Sequence, residues 1–230
     1  MCIRDRREDY FTKLYSLQDA VLASFATTET EFYLTGGTAA SRGYLNHRFS
    51  DDLDLFVNDD SRFGLWADRL IASVADRPEW DVQVGLRDLR FVRFSVANQE
   101  LTLKVELVND VPSRVGQVSV HAVLGRLDTA ENILANKLTA LTDREEPKDL
   151  ADVWGFCVRM GLSVTRALEG AHGKAAGLFP VDLARPLLRA TTADWELVRW
   201  IEAPPVDDYL KDLRRLGEEL VLVGPGEKGS

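Results

Sequence analysis

Within LTGGTAASRGYLNHRFSDDLDLFV (34–57), Asp52 and Asp54 stand two residues apart in an apolar run, shortly after the glycine pair Gly36 and Gly37. Side chains alternate along a strand, so the two carboxylates share one face about 6 to 7 Å apart, a span that suits one or two divalent cations. Leu53, Leu55 and Val57 take the other face. Carboxylates on an inward face are costly to desolvate unless a cation or several donors compensate. A second segment, LTLKVELV (101–108), sets Lys104 and Glu106 on one face and Leu103, Val105 and Leu107 on the other. If the two strands lie side by side, Asp52, Asp54 and Glu106 form a cluster of three carboxylates. Oxygen ligands of that kind suit Mg²⁺, which keeps waters and substrate phosphates in its shell.

The glycine pair supplies a complementary part. Gly36 and Gly37 let the backbone approach a ligand closely, and the start of the following helix offers N–H groups and a positive dipole end to an anion such as phosphate. Triphosphate at the turn and two metal ions at the acids is the arrangement required for in-line displacement at phosphorus. Taken singly, a Gly-Gly pair is a turn and Asp-x-Asp a solvated strand end; the order of the parts carries the reading. A calcium loop does not fit, because Phe56 and Val57 fall where that loop needs an oxygen ligand and glycine. GGTAASRG lacks the Gly-Lys-Ser/Thr ending of a P-loop, and no G-x-G-x-x-G follows a strand.

The elements that must position these residues follow from periodicity. Residues 8–26 place Tyr10, Phe11, Leu14, Leu17, Val21, Leu22 and Phe25 near helical spacing. EFYLTGG reads as a short strand stopped by glycine, TAASRGYL as a short helix and DLDLFV as a strand. A helix over 62–76 follows, then RFVRFSV and LTLKVELV as a hairpin around ANQE, then QVSVHAV as a further strand. Beyond about residue 126 the pattern is helical throughout, with Pro, Gly and Thr/Ser-Asp breaks. The expected fold is therefore α+β, a mixed sheet with covering helices over 1–125 followed by a helical domain over 126–223. MCIRDR (1–6) has no apolar period and is expected to be disordered or foreign to the fold, and GPGEKGS (224–230) to be a disordered tail.

Composition bounds the function classes. The 230 residues are 45% hydrophobic and 28% charged, ordinary for a globular protein. Cys2 and Cys157 have no metal spacing, and no signal peptide or long apolar run is visible, so a reducing cytoplasmic setting without membrane association is expected. A net charge of −9 argues against broad coating of nucleic acid and leaves local recognition of an RNA end open. His47, His121 and His172 have no metal spacing and are read as packing or surface residues. Lys104 is read as either an ion-pair partner of the acids or a substrate contact.

Gly-Gly-Thr-Ala, then HRFSDDLDLF, then a strand with Lys-x-Glu resembles the DNA polymerase β superfamily of nucleotidyltransferases. More narrowly, LTGGTAASRGYLNHRFSDDLDLF together with NKLTALTDREEPKDLADV resembles the AbiEii/AbiGii toxin family, the nucleotidyltransferase half of type IV toxin–antitoxin and abortive-infection systems. The resemblance covers roughly residues 30 to 155. It implies a nucleotidyltransferase-fold sheet, Gly36, Gly37 and Thr38 holding the NTP, and Asp52 and Asp54 binding Mg²⁺. Glu106 would complete the metal cluster and accept the proton of the attacking hydroxyl. Lys137 would contact phosphate, Asp152 matches the family's downstream acid, and Arg48 is a further anion contact. Relatives of this type modify the 3′ end of tRNA, which here would be guided by Arg42, Arg48, Lys137 and Arg144; a cognate antitoxin is the implied protein partner. Two other readings stay open: transfer to a small-molecule hydroxyl, as in antibiotic nucleotidyltransferases, and an NTP- or partner-binding module without turnover.

Overall fold

The computed structural model describes residues 3–144, 146–174 and 179–223; the tail 224–230 lies outside the described residues. They form two compact units. The first contains residues up to Ala39, Ser50–Pro112 and Val118–Asp128; the second contains Ala40–Phe49, Ser113–Gln117 and the chain from Thr129 onward.

In the first unit, α1 (Ile3–Ala26) starts earlier than its periodicity suggests, because the charged run that precedes the apolar repeat consists of residues that tolerate a helix. Residues 3–6 are therefore helical, where the sequence suggested disorder or a segment foreign to the fold. Phe11, Leu14, Leu17, Val21, Leu22 and Phe25 are buried, whereas Tyr10 stays exposed. Next come β1 (Tyr33–Thr35), α2 (Gly36–Thr38), β2 (Leu53–Asn58), α3 (Phe63–Ala75), β3 (Asp81–Arg87), β4 (Phe91–Ala97), β5 (Thr102–Asp110), β6 (Ser119–His121) and β7 (Gly125–Leu127). Among the described residues the strands make one seven-stranded mixed sheet in the order β3-β4-β5-β2-β1-β7-β6.

Its centre follows from alternation. Leu53, Leu55 and Val57 on β2 and Leu103, Val105 and Leu107 on β5 are all buried. A one-residue slip of either strand would turn its own three apolar side chains outward, so register is strongly specified. Two strands escaped the sequence reading. β3 is an edge strand with Val84 and Leu86 exposed, so it lacks clean alternation, and β7 has three residues.

In the second unit, α2 continues as a π-helical turn (Ala39–Leu45). The helices that follow are α4 (Ala130–Asp143), α5 (Pro147–Trp154), α6 (Val164–His172), α7 (Pro180–Arg189), α8 (Thr192–Leu197) and α9 (Val206–Leu222). A second π-helical turn (Gly155–Arg159) extends α5. The two π turns meet where a Cβ on Gly155 would lie 2.7 Å from Leu45 Cδ1. The segment around Arg48 is tied in by backbone hydrogen bonds, Phe49 N–H donating to Arg199 O at 2.8 Å and Ile201 N–H to His47 O at 2.9 Å. Val115 N–H likewise donates to Asn132 Oδ1 at 3.0 Å. These pairings explain why residues 40–49 and 113–117 belong with the helices, something a single cut near 126 does not convey. Among the described residues no helix is long and apolar enough to cross a membrane.

Candidate active site

Parallel pairing of β2 with β5 brings Asp54 into register with Glu106. Antiparallel pairing with β1 sets Thr35 opposite Asp54, and Gly36 follows directly. Gly36 has φ +65°, and a Cβ there would lie 2.1 Å from Asp54 Oδ2. Glycine at this position therefore serves both the left-handed backbone and the close approach of a carboxylate.

Asp52 lies one residue before β2 and is positioned through its backbone. Thr38 Oγ1 donates to Asp52 O at 2.5 Å and to Ser50 Oγ at 3.1 Å. Gln18 Nε2 donates to Ser50 O at 3.2 Å and Asp51 O at 3.1 Å, while Ser50 N–H donates to the Tyr15 hydroxyl at 3.2 Å. Behind the turn, Thr35 Oγ1 donates to the buried Asp128 at 2.7 Å, and Asp128 N–H donates to Leu34 O at 2.9 Å. Sequence reasoning missed Gln18 and Asp128, whose partners lie far along the chain. The Thr38 hydroxyl is engaged within the fold.

Two cations share the acidic face. Lys104 Nζ lies 2.9 Å from Asp52 Oδ2 and 3.4 Å from Glu106 Oε1. Arg93, opposite Glu106 in the β4–β5 ladder, donates from Nε to Glu106 Oε1 at 2.7 Å. Burial lowers the Lys104 pKa, but the hydrogen bond and charge of Asp52, together with Glu106, outweigh it and leave it raised. Among the described residues no group of three or more His, Cys, Asp or Glu is already drawn together to hold a metal ion. Lys104 stands between Asp52 and Glu106, while Asp54 lies in register beside Glu106. Like charges on one face repel, and Lys104 and Arg93 offset that repulsion.

The donor set nonetheless fits Mg²⁺. It consists of carboxylate oxygens, and the Lys104 ammonium marks where a cation is already held by two of them.

Arg48, Lys137 and Asp152 are brought together elsewhere, in the second unit. Arg48 Nε and Nη2 each donate to an Asp152 carboxylate oxygen at 2.7 Å, and its Nη1 donates to Phe49 O at 3.0 Å. Lys137 Nζ lies 2.6 Å from Asp149 Oδ1 and 2.7 Å from Asp152 Oδ2. Arg144 Nε reaches Asp149 Oδ2 at 3.0 Å. Asp149 and Asp152 have no exposed surface, so Lys137 belongs to a buried ion network rather than a solvated helix face. Burial raises the Asp152 pKa, yet Arg48 and Lys137 overcome this and hold it well below the usual carboxylate range. Burial likewise opposes the charge on Lys137, and Asp152 and Asp149 override it to give a raised pKa.

His47, read from sequence as a packing residue, joins this network through Nε2, 3.0 Å from Asp152 Oδ1. Its buried Nδ1 has no hydrogen-bond partner among the described residues. Protonation would put an unsatisfied N–H there, consistent with burial lowering its pKa more than Asp152 raises it.

Solved structures that share the fold include the following two. JHP933 from Helicobacter pylori is 22% identical, covering 92% of this chain and 91% of its own with a TM-score of 0.61. MenT4, a nucleotidyltransferase toxin from Mycobacterium tuberculosis, is 16% identical, covering 92% and 84% with a TM-score of 0.58. The model of the nucleotidyl transferase AbiEii toxin family, from type IV toxin–antitoxin systems, matches residues 20–200, and the chain belongs to that family. No curated protein matches it. The protein is a nucleotidyltransferase toxin, and membership of the family implies an NTP substrate and an antitoxin partner.

Three outcomes follow. Gly36→Ala forces Asp54 aside and strains the turn by about 1–2 kcal/mol, so nucleotidyl transfer should fall far more than thermal stability. Lys137→Met leaves Asp149 and Asp152 without their shared cation and should cost about 3–5 kcal/mol in urea unfolding. Because the folded-state pKa of His47 is below its unfolded value near 6.5, the unfolded state binds more protons as pH falls from 6.5 toward that folded value. Stability should therefore decline over that interval, by at most about 1.4 kcal/mol per pH unit, and His47→Gln should remove this part of the slope in unfolding titrations.

Proposed function

We propose that the enzyme transfers a nucleoside monophosphate from an NTP to the 3′ end of tRNA in a Mg²⁺-dependent reaction. The observation that carries this reading is the in-register pairing of Asp54 with Glu106, with Gly36 against Asp54 and Asp52 on the same approach. Asp52, Asp54 and Glu106 would hold Mg²⁺, which when bound neutralises triphosphate charge and favours ionisation of the attacking hydroxyl. The backbone of Gly36, Gly37 and Thr38 binds the triphosphate. The acceptor oxygen forms its bond to the α-phosphorus as the bond to the bridging oxygen breaks; Glu106 takes the hydroxyl proton and pyrophosphate leaves.

In the helical unit, Lys137 and Asp152 support the reaction. Asp152 fixes Arg48, and Lys137 binds phosphate only by exchanging a carboxylate partner for it, so this pair acts mainly through position. The net charge of −9 favours a narrow contact with an RNA end over extended wrapping, and a tRNA substrate places the action in the cytoplasm.

The test is incubation of the purified protein with Mg²⁺, total tRNA and each α-labelled NTP in turn. Label should enter tRNA with one or more NTPs, and Asp52→Ala and Asp54→Ala should abolish it while remaining folded by circular dichroism. Full activity in either variant would refute the metal-site assignment; NTP turnover without labelled RNA would move the acceptor to a small molecule or a protein.

A further inference from the structure

The acidic face has two rungs. One carries Arg93, Glu106 and Asp54 across β4, β5 and β2. The other carries Ser95 and Lys104 on β4 and β5, and Asp52 meets Lys104 from the residue just before β2. Lys104 Nζ bridges the rungs by contacting Asp52 and Glu106 at once. A divalent ion coordinated by those two carboxylates needs the same oxygens. The ammonium and the ion therefore compete.

We propose that Lys104 is a resident cation that occupies the metal-free acidic site and is displaced when a divalent ion binds, which couples metal affinity to the arrival of the nucleotide. This rests on the proposed metal-site reading. The side chain is built for displacement, being 41% exposed, with a flexible stem and a compact charge that solvent receives readily. Its transfer into water costs little, because half-exposed ion pairs are weak. An incoming triphosphate offers the displaced ammonium a new anionic partner, so nucleotide and metal should each strengthen binding of the other by the same factor.

Mn²⁺ is the probe, its binding followed by electron paramagnetic resonance with and without a non-hydrolysable α,β-methylene NTP. For the wild type, Mn²⁺ alone should bind weakly and nucleotide should tighten it. Lys104→Met should bind Mn²⁺ alone about tenfold more tightly than wild type, with a correspondingly smaller gain from nucleotide. Lys104→Gln should behave alike and covers the case in which the methionine variant does not fold. Arg87→Met, which removes an equal charge from a residue paired with Asp68, controls for net charge. Unchanged Mn²⁺ affinity in the Lys104 variants, or a change matched by Arg87→Met, would overturn the proposal. Mn²⁺ binding that persists in Asp54→Ala would instead overturn the metal-site reading, and no Mn²⁺ binding under any condition would overturn both.

Discussion

Parallel pairing of β2 with β5 in a single register sets Asp54 beside Glu106, and this adjacency constrains the surrounding structure. The register is held from the other face, where Leu53, Leu55 and Val57 pack with Leu103, Val105 and Leu107 in the core. A one-residue slip that separated the acids would turn outward the three apolar side chains of the slipping strand, each worth about 1.5–3 kcal/mol when buried. Hydrophobic packing thus maintains an electrostatically unfavourable neighbourhood, and the nearby cations answer it.

The two units compensate their acids differently. In the helical unit, Asp149 and Asp152 are sealed in and met by Arg48, Lys137 and Arg144, with two guanidinium nitrogens of Arg48 on the two oxygens of Asp152. Such a buried network is strongly destabilised by the loss of one member, so it behaves as a fixed part of the frame. On the sheet, Asp52 and Glu106 are met by Lys104, a point charge whose side chain reaches solvent. Arginine suits the fixed, two-pronged contact and lysine the exchangeable one. The difference in burial separates a sealed ion network from a contact that solvent reaches.

Legibility in the sequence tracks the range of the interaction. The alternation in DLDLFV and LTLKVELV and the Gly-Gly stop are local signals, and they located the central strands and the three acids. The resemblance added Lys137 and Asp152, which no local pattern singles out. What stayed hidden was set by distant partners: His47 meets Asp152 across 105 residues, and Thr35 meets Asp128 across 93. The same reason kept residues 40–49 from being recognised as part of the helical unit, since their backbone pairs with residues 199 and 201. β3 was missed because an exposed edge strand need not alternate.

The glycine turn and the acids are a single object. A Cβ at Gly36 would overlap Asp54 Oδ2, Thr38 holds the backbone oxygen of Asp52, and Thr35 grips Asp128 behind the turn. Through these contacts, a shift of the turn toward a phosphate moves the groups that fix both aspartates. In the proposed reaction, the separation between an anion at the turn and a cation at the carboxylates would be set by packing rather than by loop flexibility. That is the requirement for in-line transfer, where a small error in the distance between phosphorus and attacking oxygen lowers the rate steeply.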